Sequence, residues 1–182
     1  LLLFSDKIEK YLPPAKGQKH VLRILRDILF HQNESKGTDL NEGLRFLNRV
    51  MRRRAVVFLL SDFIIPEYDS VEETVENIFL KELSTTRRRH DLVCCQIHDM
   101  IEKDFPNVGR VHLEDAETGE TIIVDSSNKD FRNQYKEHTE RIQESFIRRL
   151  RRRGIDNFQF STDSDYVKTL REFFHLRGNR KG

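Results

Sequence analysis

Apolar residues fall along this chain in two alternating periods, and the sharpest block is AVVFLLSDF at residues 55–63. Six apolar positions without polar alternation predict a strand covered on both faces, the kind that parallel sheets contain. The block stops abruptly at Ser61 and Asp62. LVCCQI, residues 92–97, predicts a second strand of this kind, ending in His98 and Asp99. Leu1 to Phe4 reads as a strand, and Lys7 to Leu12 as a shorter extended piece stopped by Pro13 and Pro14. GRVHLED and ETIIVD flank the turn residues Glu117 to Gly119 and predict a hairpin, and IDNFQFS predicts a last strand.

Between these blocks the period changes to that of a helix. Val21, Leu22, Leu25, Ile28 and Leu29 keep helical spacing within Lys19 to Phe30. The loop QNESKG follows, and a second helix is expected from Thr38 or Asp39, with Leu40, Leu44, Leu47 and Met51 on one face. It runs out in Arg52 to Arg54, where basic residues suit the negative end of the helix dipole. After Pro66, Ser70 and Glu73 fit a capping box for a helix bearing Val71, Val75, Ile78, Phe79 and Leu83. Ser126 to Arg153 predicts a long amphipathic helix with Phe131, Tyr135, Ile142, Phe146 and Leu150 buried, closed by Gly154. A final helix carries Tyr166, Leu170, Phe173 and Phe174, capped from Ser161 to Asp165, and the tail after Leu176 is expected to fray.

Strands alternating with helices predict one doubly wound α/β domain over residues 1–182, with a mostly parallel sheet flanked by helices and a small hairpin. Ligands of such sheets bind beyond the carboxyl ends of the strands, where Asp62 stands. Thr38, in the loop KGTDL ahead of a helix, is the second candidate. Each has a plain local explanation, Asp62 as a turn residue and Thr38 as an N-cap. Together, a hydroxyl and a carboxylate suit a hard cation such as Mg²⁺, which needs more oxygens than these two supply.

Composition narrows the classes. With 32 Lys and Arg against 30 Asp and Glu, the formal net charge is +2, without the basic excess of a dedicated nucleic-acid binder. Arginine runs stand at 52–54, 87–89 and 148–153; those at 52–54 and 148–153 read as solvated helix ends, with an acidic partner surface as another possibility. Cys94 and Cys95 are the two cysteines, adjacent in an apolar run, and read as reduced core residues of an intracellular, cytoplasmic protein. No apolar run approaches the roughly 20 residues that span a bilayer. The remaining histidines share no spacing with carboxylates that signals a metal or catalytic site, and no nucleophile motif, phosphate-cradling loop or zinc signature occurs.

Seven pieces carry a resemblance along essentially the whole chain: FSDKIEKYLPP, KGQKHVLRILRDILF, SKGTDLNEGLRFLNRVMRRR, AVVFLLSDF, RRRHDLV, PNVGRVHLEDAETGE and STDSDYVKTLREFF. In order and spacing they resemble the bacterial family called domain of unknown function fifty-eight. That is a von Willebrand factor A-like group often encoded beside MoxR-type AAA+ ATPases. The resemblance implies a Rossmann-type topology and a metal-ion-dependent adhesion site, in which Thr38 matches the loop Thr and Asp62 the later Asp. The Asp-x-Ser-x-Ser motif of such sites has no counterpart, since Phe4-Ser5-Asp6 follows what matches the second strand. The first, central strand is therefore expected upstream of Leu1, leaving a partial site with weak or absent metal binding here.

By this resemblance the chain is expected to be a non-enzymatic interaction module. Its expected partners are a MoxR-type AAA+ ATPase and a client protein, in assembly or maturation. The residues alone leave two alternatives: a Mg²⁺-dependent hydrolase or phosphotransfer domain using Asp62 as nucleophile, and receptor-like signalling through phosphorylation of Asp62.

Overall fold

The structure, a computed structural model, describes residues 1–32, 35, 37–63, 73–99, 105–114 and 121–179. The chain runs β1 (Leu2–Phe4), β2 (Ile8–Tyr11), α1 (Gln18–Leu29), α2 (Leu40–Val50), β3 (Val56–Ser61), α3 (Glu73–Arg89) and β4 (Asp91–His98). It continues with β5 (Arg110–Glu114), β6 (Thr121–Asp125), α4 (Lys129–Arg152), β7 (Asp156–Ser161) and α5 (Tyr166–Asn179). The proposed Ser70 cap and the hairpin's turn at 117–119 lie outside the described residues.

The architecture is mixed α/β, with a parallel three-stranded sheet ordered β3-β4-β7 and flanked by helices. Instead of joining that sheet, β1 and β2 pair with each other antiparallel, and β5 and β6 form a separate antiparallel hairpin. The small hairpin expected from the sequence thus stands apart from the parallel sheet, as β1 and β2 do, among the described residues. Side-chain alternation sorts the parallel sheet into two faces. Leu59, Leu92 and Cys94 face a core built with Leu44 of α2, Leu83 of α3 and Phe146 and Leu150 of α4. Val93, Cys95 and Phe158 face the other way, beneath Leu170 and Phe173 of α5.

The helices are capped as their sequences dictate, though not always by the expected residue. Asp39, not Thr38, caps α2, its carboxylate accepting from the amides of Asn41 and Glu42 at 2.8 and 3.1 Å. Asn128 caps α4 in the same way. Gly154 ends α4 with φ 64, a left-handed conformation that favours glycine. The last helix does not stop at Leu176. It continues to Asn179, and Arg177, with its side chain largely buried, pairs with Asp91 and Asp156 at the starts of β4 and β7.

Two surfaces depart from the expected burial. β3 is covered unevenly: Leu59 is 7% exposed, whereas on the opposite face Val56 and Leu60 are open, Leu60 at 57%, and Phe58 is exposed apart from an edge-to-face contact with Phe174 of α5. The apolar stripe of α1 (Val21, Leu22, Leu25, Ile28, Leu29) also points to solvent. Its polar side is the anchored one, with Asp27 buried against Lys10 of β2 at 3.3 Å. Burial pushes the Asp27 pKa up, but hydrogen bonds and charge from Lys10 and Arg26 outweigh it, and the carboxyl sits below its ordinary value. A helix with its apolar stripe outward inverts the usual arrangement of a surface helix.

Candidate functional site at the carboxyl edge of the sheet

The direction of the strands decides which residues share an edge. β3, β4 and β7 are parallel, so Asp62, Asp99 and Thr162 follow their carboxyl ends together. α3 ends in Arg89 directly before β4 and therefore starts at that same edge. α2 runs alongside α3 in the same direction, because Arg45 meets Glu82 at 3.3 Å and Asn48 meets Thr86 at 2.8 Å, later residues pairing with later. The start of α2, with Thr38 just ahead of it, lies at the edge that carries Asp62.

Local geometry shapes each residue. Asp62 is exposed, its carboxylate accepting from the Ser61 hydroxyl at 3.3 Å. Its carbonyl accepts from the buried Gln96 side chain at 3.1 Å, and Gln96 in turn accepts from Gln159. This ladder of amides ties the ends of all three strands. Phe63 then turns the chain, with φ 56, a left-handed backbone that is uncommon for a bulky residue. The turn buries the Phe63 ring against Phe146, 4.9 Å between centroids, and leaves Asp62 on the rim. The aromatic cluster holds the strained turn in place.

Thr38 is exposed, and because Asp39 caps α2 the Thr38 hydroxyl is not committed to the helix end. The loop docks on the end of β1: the Asp39 amide donates to the Ser5 carbonyl at 2.8 Å, and Gly37 lies against Asp6. Asp6 is exposed and accepts from the Ser5 hydroxyl at 3.2 Å, so a further carboxylate stands beside the Thr38 loop. Sequence reasoning set Asp6 aside because it does not fit an Asp-x-Ser-x-Ser motif, and no local signal linked it to Thr38. Asp99 accepts from Thr162 at 3.3 Å on the next strands along.

Apart from the His98 imidazole at the end of β4, the donors named on this rim are oxygens, which is the chemistry a hard cation takes. Among the described residues no three His, Cys, Asp or Glu side chains come together as a ready-made metal centre. These residues therefore fit a part of a Mg²⁺ shell rather than a whole one. The two thiols are inert by contrast, burial pushing Cys95 up to about 12 and Cys94 higher still. No described helix is long and apolar enough to cross a membrane.

Comparison with known proteins agrees over most of the chain. It is 26% identical over 171 residues to the uncharacterized protein Rv1480 of Mycobacterium tuberculosis and to Mb1516 of Mycobacterium bovis, covering 91% of this chain and 50% of each relative. It is 24% identical over 175 residues to the uncharacterized protein MAV169 of Mycobacterium avium, covering 94% of this chain and 95% of that one. The chain thus spans about half the length of the first two relatives. No solved structure matches it. A family model matches residues 1–145, and the chain belongs to that family, described as Protein of unknown function DUF58.

Proposed function

We propose that this chain is the larger part of a non-enzymatic, von Willebrand A-like interaction module, in which the carboxyl rim binds a divalent cation and, through it, a carboxylate of a partner. Thr38 acts as a direct or water-mediated ligand and Asp62 as the anionic one. The reading rests on one observation above the others: Thr38, released from capping by Asp39, shares an edge with Asp62. The partner in this reading is a MoxR-type AAA+ ATPase, acting with the module in assembly or maturation of a client.

The remaining ligands come, in this proposal, from a strand lying between β1 and β3. Three features support it. β1 pairs only with β2 and β3 only with β4 among the described residues, so each has an edge to offer. Both flank α2, since Phe4 of β1 and Val57 of β3 pack on the same core as Leu40 and Leu44. The outer face of β3 and the stripe of α1 are apolar and open, as surfaces awaiting a neighbour are.

The experiment is calorimetric titration of Mg²⁺ and Mn²⁺ into the protein carrying that strand, followed by capture of the ATPase, with Thr38→Val and Asp62→Ala. Because Asp39 holds the cap, Thr38→Val is expected to leave stability within about 0.5 kcal/mol, as for ordinary surface changes. A fall in metal affinity of about tenfold or more then reports ligation. Undiminished metal and partner binding in both variants would defeat the proposal.

A further inference from the structure

Each strand of the parallel sheet is entered through three arginines. Arg52 to Arg54 precede β3, Arg87 to Arg89 precede β4, and Arg151 to Arg153 precede β7. Taken singly, each run is an ordinary basic helix end. Parallel strands, however, begin at one edge, so the three runs arrive there together. The Asp91 amide donates to the Ala55 carbonyl at 2.8 Å, and Arg87 donates to the Gly154 carbonyl at 3.0 Å, joining the three entrances. Arg52 to Arg54, Arg88, Arg89 and Arg151 to Arg153 are all exposed.

Compensation of helix dipoles does not account for this. Each helix end carries roughly half a negative charge, which one arginine more than offsets. Nor, among the described residues, do the carboxylates at this edge absorb the excess. Asp91 and Asp156, at the starts of β4 and β7, are engaged by Arg177 from α5. Other ion pairs of the described residues use Lys10, Arg23, Arg26, His31, Arg45, Arg49 and Arg148, none of them in the three triplets. Like charges held within about a Debye length repel, a cost that selects for an anionic occupant.

We propose that this amino edge of the sheet is a docking face for an acidic segment of a partner protein. The guanidinium fork matches a carboxylate in a two-pronged geometry that lysine lacks, and the edge is built from arginine throughout. The two spacings between the three strands and the adjoining helix layer, each about 10 Å, give a footprint about 20 Å across. That is the length of roughly six extended residues. With these arginines included the whole chain is nearly balanced, at +2, so the rest of it is net acidic, and the opposite rim carries Asp6, Asp62 and Asp99. A compact acidic segment fits such a pole, whereas a long nucleic acid would run past it onto acidic surface.

The test is fluorescence anisotropy with a labelled octaglutamate peptide, an octaglutamine control and octauridylate RNA, at about 50 and 200 mM salt, where screening differs. The protein is compared with three variants in which one triplet at a time is changed to Gln; if one fails to fold by circular dichroism, the other two decide. The expected result is salt-sensitive binding of octaglutamate, weakened about fivefold or more by each triplet change, as for charge contacts at interfaces. Arg→Lys at the same positions is expected to fall in between. Undiminished binding in the triplet variants, tighter binding of the RNA, or no peptide binding at the lower salt would overturn the proposal.

Discussion

Leu59 and Leu60 are neighbours in β3 with the same side chain and opposite fates, which makes them a direct test of the half-covered sheet. Leu59 is 7% exposed and lies in the main core, so truncation to Ala loses the transfer free energy and leaves a cavity. Such changes cost about 2–5 kcal/mol, and about 3 kcal/mol is the expectation here. Leu60 is 57% exposed, so less than half of a full leucine burial, about 1.5–3 kcal/mol, is at stake and no enclosed cavity forms. Leu60→Ala is expected to cost about 1 kcal/mol or less. With a urea dependence near 2 kcal/mol per molar, the midpoint moves down by roughly 1.5 M for Leu59→Ala and by under about 0.5 M for Leu60→Ala. The assay is urea unfolding followed by far-ultraviolet circular dichroism. Equal shifts for the two variants would refute the one-sided burial of β3. In a chain that also carries the strand proposed to lie beside β3, the Leu60→Ala loss is expected to rise toward that of Leu59→Ala.

Two further outcomes can be checked in the same way. A Cβ added at Gly43 would meet the Phe4 ring at 2.9 Å, and that ring packs on the main core. Gly43→Ala gains about 1 kcal/mol of helix propensity but costs about 1–3 kcal/mol of overpacking, so a net loss near 1 kcal/mol is expected. Adding Phe4→Leu should recover part of it, and a stabilised single variant would contradict this packing. His90 is buried, with neither ring nitrogen partnered among the described residues, and burial, then the charges of Arg89 and Arg54, hold its pKa below the ordinary value. A lowered histidine pKa favours the neutral ring in the folded state. His90 therefore destabilises the fold progressively as pH falls below about 6.5, the unperturbed value, and not above it. His90→Phe is expected to flatten that acid-side slope and to add about 1 kcal/mol at neutral pH, by removing unpaired polar groups. An unchanged slope in thermal melts from pH 5 to 7 would count against the assignment.

The elements were readable because period survives in sequence: β3, β4 and the long α4 stand close to where their apolar patterns put them. Coverage was not, because an apolar run states what a residue prefers, not whether a neighbour arrives to bury it. Leu60 and the stripe of α1 are the instances. Asp62 could be found from a strand end alone. Its edge-sharing with Thr38 needed the packing of α2 along α3, a long-range fact with no local trace. Thr38 and Asp39 are both good caps, and sequence could not choose between them. The convergence of the arginine triplets was hidden for a similar reason, since it depends on which strands pair. The polar tail gave no hint of Arg177, whose partners Asp91 and Asp156 are far away in sequence.

Cys94 and Cys95 sit side by side on the middle strand of the sheet yet look into different layers, one toward α2, α3 and α4 and the other toward α5. Each is sealed and protonated in the folded molecule. An alkylating reagent can reach them only when the layer above opens, so the rate at which each is labelled keeps time for its own layer. Mass spectrometry of the singly modified protein then reads which side of the molecule breathes first, with no probe added to the chain.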